Sequence, residues 1–162
     1  MDYLVVYYSR TKNTKKVGRR IAEMLDCGKK QIFDKKDRSG SFGFLKGGWD
    51  AWREKKTEIH NEGTGSTKHE HFIIGTPVWA GKLTPAVRTY IDERKRDFER
   101  VSFFCTHGGT GGEKTFDEME NLSGKKPVET LEVSEDEIRE EEFEDKVRDF
   151  VDSIERLNNE EK

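Results

Sequence analysis

One pattern recurs along this chain and limits what it can fold into: a short apolar run, a loop of small polar residues, then a segment with helical apolar spacing. In the first instance Leu4 to Tyr8, β-branched and aromatic without clean alternation, reads as a strand buried on both faces. The loop "SRTKNT" (Ser9 to Thr14) follows, and Val17, Ile21, Met24 and Leu25 then fall at i, i+4, i+7 and i+8 on one helical stripe. In the second instance "HFIIG" (His71 to Gly75) is a strand and "TPVWAGKL" a loop. "TPAVRTYIDE" is then a helix with Thr84 as N-cap and Pro85 in its first turn. In the third, "VSFFC" (Val101 to Cys105) leads through "THGGTGG" into "EKTFDEMENL", a helix carrying Phe116, Met119 and Leu122.

A weak strand at "KKQIF" (Lys29 to Phe33) and another near "KKPVETLEV" bring the number to five. A closing helix follows, with Ser134 and Glu137 as a capping box and Phe143, Val147, Phe150, Val151 and Ile154 as its inner stripe. Strands alternating with helices make right-handed βαβ units, so the expected class is α/β: a doubly wound, five-stranded parallel sheet with helices on both faces. Residues 1–157 are expected to form a single domain and residues 158–162 a polar tail. The stretch "SGSFGFLKGGWDAW" interrupts the pattern, with Phe42, Leu45, Trp49 and Trp52 at i, i+3, i+7 and i+10. It is expected to be a helix packing this stripe on the sheet, the alternative being an exposed partner-binding patch. "HNEGTGSTKHE" is expected to be a surface loop.

With 39% charged and 31% hydrophobic residues in 162, the core must be small and the surface heavily ionised. No apolar run approaches a membrane span. The N-terminus lacks the basic region and cleavage site of a secretory signal, so the sequence reads as cytoplasmic. Cys27 and Cys105 have no metal-ligand spacing and are expected to be buried free thiols. His69 and His71 in "KHEH" lack further ligands nearby and are expected in a solvated turn, so no metal site is assigned. The formal charge of -3 hides a basic first 100 residues and an acidic remainder, but no basic block with interleaved aromatics points to nucleic acid. The acidic run "SEDEIREEEFED" reads as a solvated helix face.

In an open parallel sheet, ligands bind beyond the carboxyl ends of the strands, where all three polar loops would open. Ser9 to Thr14 sets hydroxyls and backbone N–H groups at a helix N-terminus, which favours an anion, so this loop reads as a phosphate cradle. An ordinary N-cap turn needs one such residue, and this loop offers four.

"SRTKNT" resembles the phosphate loop of the flavodoxin family, T/S-x-T-G-N-T, with Lys12 where that family commonly has glycine. "GTPVWAG" is similar to the family's second flavin loop and "THGGTGG" to its third, in the same order along nearly the whole chain, in the short-chain form. The resemblance implies a flavodoxin-like sheet of order 2-1-3-4-5 and FMN as cofactor. It places Ser9, Arg10, Thr11, Lys12, Asn13 and Thr14 around the phosphate. Thr76, Pro77, Val78, Trp79, Ala80 and Gly81 would form the second contact, and Thr106, His107, Gly108, Gly109 and Gly112 the third. Lys12 carries a Cβ where positive φ is expected. Trp79 is the candidate ring contact, or else a hydrophobic plug under the following helix. Gly81 would lie in the turn whose peptide can reorient toward the reduced flavin's N5. The third loop lacks the stacking tyrosine of many flavodoxins, which would leave one ring face open.

Lys82 and His107 stand where many flavodoxins have acids. If both face the flavin, a unit charge ~7 Å away would raise the potential by roughly 100 mV; otherwise they point to water. The function so implied is electron transfer between redox partner proteins, flavin or iron–sulfur reductases and acceptors, by a monomer or weak dimer with no catalytic base or nucleophile. One alternative is an FMN-dependent NAD(P)H oxidoreductase acting on quinones or similar small acceptors. Another is a cofactor-free flavodoxin-like interaction module. A phosphorelay receiver lacks its acids here, and a related phosphatase would need a cysteine in the first loop, which has none.

Overall fold

The computed structural model describes residues 1–36, 40–61 and 68–160. Five parallel strands form the sheet: β1 (Tyr3–Tyr8), β2 (Gly28–Asp34), β4 (His71–Trp79), β6 (Arg100–His107) and β7 (Thr130–Ser134). They lie in the order β2-β1-β4-β6-β7, which is the expected 2-1-3-4-5 counted over the parallel strands. Two short antiparallel strands were not expected. β3 (Ile59–Asn61) pairs with β2 at the edge, so the stretch read as a surface loop begins as strand, and residues 62–67 of that stretch lie outside the described residues. β5 (Lys82–Leu83) pairs back onto the end of β4.

Strand alternation sorts the core into two layers. Leu4, Val6 and Tyr8 of β1, Phe72 and Ile74 of β4, and Phe103 of β6 face α2 (Gly40–Trp52), α3 (Pro85–Arg94) and α4 (Gly112–Ser123). Val5, Tyr7, Ile73 and Phe104 face α1 (Asn13–Met24), α5 (Glu135–Arg139) and α6 (Glu144–Glu160). Val17 and Ile21 of α1 and Val147, Phe150, Val151 and Ile154 of α6 fill this second layer, as their spacing requires. Each fully buried side chain of this size contributes about 2 kcal/mol, which is how a chain so rich in charge retains a core.

The closing helix is broken in two. The Ser134 capping box forms, with the Glu137 N–H donating to Ser134 Oγ at 3.2 Å and the Ser134 N–H donating to Glu137 Oε2 at 2.8 Å. After Arg139, however, Glu141 turns left-handed at φ 60, and the Glu142 N–H donates to the Glu137 carbonyl at 2.9 Å, closing a Schellman-type end. This turn lets Ile138 and Phe143 both enter the core.

α6 then runs to Glu160, so residues 158–160 are helical rather than tail, and Asn158 is buried. Its amide donates to Nδ1 of His71 at 3.0 Å and its Oδ1 accepts from Arg100 at 3.0 Å. His71 therefore does not lie in a solvated turn. It opens β4, is buried, and meets Ser102 Oγ through Nε2 at 2.9 Å. Burial first, and then the nearby Arg100 charge, push His71 down to about 4. Cys105 is buried and Cys27 half-buried, and burial raises both thiols.

The stripe expected of α2 is also placed differently. Leu45 is 68% and Trp49 56% exposed, with the Arg53 guanidinium 5.3 Å from the Trp49 ring. The buried face is the small one, Gly43, Gly47, Asp50 and Ala51. Gly47 explains this choice, since a Cβ there would stand 2.7 Å from the Trp79 ring, and only a residue without one lets the helix settle so closely. The side chains of Phe42 and Trp52 lie outside the described residues.

Candidate cofactor site

β1 ends where loop 1 begins, and α1 starts at Asn13 after a left-handed Lys12 at φ 73 and ψ -5. Lys12 thus adopts the conformation for which glycine is favoured, at a cost of about 1 kcal/mol. The N-cap residue Lys12 makes no side-chain cap bond and α1 has no acid in its first turn, so no carboxylate neutralises the positive end of its dipole. Ser9 Oγ accepts from the Lys15 N–H at 3.2 Å, folding loop 1 over that end. Thr14 is buried, and its Oγ1 lies 2.8 Å from Thr106 Oγ1 at the end of β6.

The second loop is mostly strand. β4 continues through Trp79, turns at Ala80 and Gly81, and returns with Trp79 opposite Lys82 and Val78 opposite Leu83. Both turn residues have positive φ, 50 at Ala80 and 71 at Gly81, the signature of a two-residue type I′ hairpin. Thr76 Oγ1 meets Thr84 Oγ1 at 3.0 Å, so the N-cap residue of α3 anchors the hairpin instead of capping its own helix. Trp79 is only 7% exposed, set edge-on to Tyr8 at 5.5 Å and pressed by Gly47. It is chiefly a core residue with one edge on the cleft.

Thr106 and His107 belong to β6, and the third loop is therefore Gly108 to Gly111. His107 is buried, and its Nδ1 accepts the Gly109 N–H at 3.0 Å, which assigns the ring proton to Nε2, 2.9 Å from Glu132 Oε1. Gly111, which the sequence reading missed, is the N-cap of α4 at φ 102. A Cβ there would stand 2.9 Å from Gly81 Cα and 3.0 Å from Val78 Cγ1, so the third loop rests directly on the hairpin. The signal was present as the glycine immediately before the helix start. Gly112 packs under the Glu132 carboxylate, which lies at the N-terminal end of α4.

A cleft of about 340 Å³ joins the three loops, lined by Arg10, Thr11, Pro77, Val78, Trp79, Thr106, Gly108 and Glu135. Ser9, Lys12, Asn13, Thr14, Thr76, Ala80, Gly81, His107, Gly109 and Gly112 surround these positions in sequence without lining the cleft. No atom lies within 4 Å of where a Cβ would stand at Gly81 or Gly109, so a flat group can approach the backbone at both loop tips.

The charge near the cleft differs from the expectation. Lys82 donates to Glu54 at 2.9 Å and lies 3.5 Å from Glu118, which also holds Arg88. The hydrogen bond to Glu54 raises Lys82 and lowers Glu54. With His107 given to Glu132 and Glu135 on the cleft wall, neither Lys82 nor His107 supplies an uncompensated positive charge.

No protein-family model matches the chain, and no curated protein matches it. Among solved structures it is similar to a flavoprotein in complex with FMN from Lactobacillus acidophilus. The TM-score is 0.71 at 21% identity, covering 86% of this chain and 97% of that one. It is also similar to a cysteine-to-serine mutant of flavodoxin from Pseudomonas aeruginosa, at TM-score 0.56 and 13% identity over 96% of this chain and 99% of that one. For oxidised flavodoxin 2 from Bacillus cereus the values are 0.55 and 14%, over 96% and 99%. At these identities the likeness is one of fold: this chain has a flavodoxin-like fold.

Proposed function

We propose that this protein binds FMN noncovalently across the three loops and carries electrons between redox partner proteins in the cytoplasm. The observation that carries this reading is the single cleft joining all three loops at the carboxyl ends of the parallel strands. A helix N-terminus beside it with no acid in its first turn suits a phosphate. In this reading Ser9, Arg10, Thr11, Lys12, Asn13 and Thr14 hold the phosphate through backbone N–H groups, hydroxyls and the two cations.

Thr76 to Gly81 and Thr106 to Gly109 bracket the ring, while Gly111 and Gly112 fix the spacing between the two loops. FMN, when bound, supplies the redox chemistry, and the chain positions it and tunes its potential. His107 acts on that position indirectly by holding the Gly109 peptide. Glu132 and Glu135 place negative charge by the third loop, which opposes the gain of an electron and makes the couple more reducing.

Anaerobic reductive titration of the FMN-loaded protein tests the carrier role. A carrier accumulates flavin reduced by one electron near the midpoint. Direct two-electron reduction, together with turnover of NADH or NADPH with quinones, would replace the carrier by an FMN-dependent oxidoreductase. That second reading is favoured by Gly108, Gly109 and Thr110, an exposed third-loop tip with no aromatic side chain to cover the ring.

A further inference from the structure

A second cleft, of about 390 Å³, runs along α1 away from the phosphate loop and is lined by Lys12, Lys15, Lys16, Arg19, Arg20, Glu23, Phe143 and Glu144. Lys16 is paired with Glu141 at 3.2 Å, and Arg20 with Glu144 at 2.6 Å. Among the described residues Lys12, Lys15 and Arg19 have no carboxylate partner. Like charges at i, i+4 destabilise a helix, and α1 carries two such pairs, Lys15 with Arg19 and Lys16 with Arg20. A chain with net charge -3 thus concentrates positive charge on one helix face beside the cofactor cleft, at a local cost.

We propose that this face docks a redox partner protein through a carboxylate-rich surface. The inference rests on the electron-carrier reading and adds the polarity of the partner. The long axis of the face begins at Lys12, shared with loop 1, so a partner seated there adjoins the phosphate end of the proposed cofactor site. Uncompensated cations at the rim act mainly on encounter, so their effect is on the association rate and falls with salt.

The test compares native cytochrome c with its succinylated form, which present the same haem behind surfaces of opposite charge. Reduced FMN-loaded protein gives one electron to each ferric haem, and the second-order rates are followed by stopped flow as ionic strength rises. Docking on α1 predicts that the succinylated form reacts faster at low salt, by about tenfold, although overall charge favours the native form. The Lys15→Glu/Arg19→Glu protein should reverse that preference. The Lys15→Gln/Arg19→Gln protein, which avoids new carboxylates near the phosphate loop, should abolish it. Reoxidation by ferricyanide, a small acceptor, reports whether the cofactor still works; failure there, or failure to load FMN, strikes the carrier reading itself. Ferricyanide reactivity intact with no preference for the succinylated form, or a preference unchanged in both variants, overturns the docking proposal. So does saturable block by micromolar pyrophosphate, which would mark the cleft as a small-anion site.

Discussion

Thr14 Oγ1 and Thr106 Oγ1 lie 2.8 Å apart and are buried, joining the first turn of α1 to the end of β6. The bond holds the first and third loops at a fixed separation across the cleft. Thr14→Val alone leaves a buried hydroxyl on Thr106 without this partner and should cost about 1–2 kcal/mol in urea denaturation. The double variant Thr14→Val/Thr106→Val should recover most of that loss, because both polar groups are gone and the shape is kept. A double variant as unstable as the sum of the singles would show that the bond does not link the loops.

Gly111 and Gly109 separate backbone strain from ligand contact. Gly111→Ala adds a Cβ at φ 102 against Gly81 and Val78. It should therefore lower stability by about 2 kcal/mol or more. Gly109→Ala meets open space and should leave stability within about 0.5 kcal/mol, yet weaken FMN binding if, as proposed, the ring edge approaches this loop tip where the methyl would stand. Thermal melts and fluorescence titrations of the two variants check this contrast.

Lys12 sets stability against binding within one residue. At φ 73 its Cβ is a local strain, so Lys12→Gly should stabilise the apoprotein by about 1 kcal/mol. The same change removes an amine beside the phosphate loop and should weaken FMN binding several-fold. Equal or tighter FMN binding by Lys12→Gly would remove the amine from the site.

His71 makes stability depend on pH. Its folded value, about 4, lies below the unfolded value of 6.5, so between these the unfolded chain binds more protons and stability falls as pH falls. The group facing its ring on β6 is Ser102, with Arg100 and Asn158 beside it and Tyr3 5.5 Å away, none of them a carboxylate that would favour its charged form. The wild type should lose about 3 kcal/mol through this group on going from pH 7 to pH 4. His71→Gln should lack that loss, and the difference between the two proteins' urea midpoints isolates it from the carboxylates.

Glu135 tests the sign of the field at the cleft. Glu135→Gln removes a negative charge from its wall and should raise the flavin potential by a few tens of millivolts, whereas Lys82→Met, already compensated by Glu54 and Glu118, should move it less. Spectroelectrochemistry of the two variants gives the order directly.

The parallel sheet was legible because five apolar runs alternated with helical stripes, a pattern set by local chemistry, whereas its strand order came only with the resemblance carried by the three loops. The hairpin at Ala80 was not, because an alanine at positive φ carries no glycine signature and is held by the pairing of Trp79 with Lys82. Trp49 and Leu45 had the spacing of a buried stripe, but the close approach of Gly47 to Trp79 decided which face turned inward. The signs of charge at Lys82 and His107 were visible, while their partners Glu54, Glu118 and Glu132 lie far along the chain and only the fold brings them near. The polar character of loop 1 was legible because its hydroxyls are contiguous in sequence, but which of its residues reach the cleft was not: the fold sets only Arg10 and Thr11 on the cleft wall.

The most direct measurement is calorimetric titration of the purified apoprotein with FMN, with riboflavin as the control that lacks the phosphate. One FMN per chain should bind at submicromolar affinity, with riboflavin far weaker because the α1 cradle then holds nothing. No heat and no quenching of flavin fluorescence at high micromolar FMN would contradict FMN binding, and riboflavin binding as tightly as FMN would contradict the phosphate cradle.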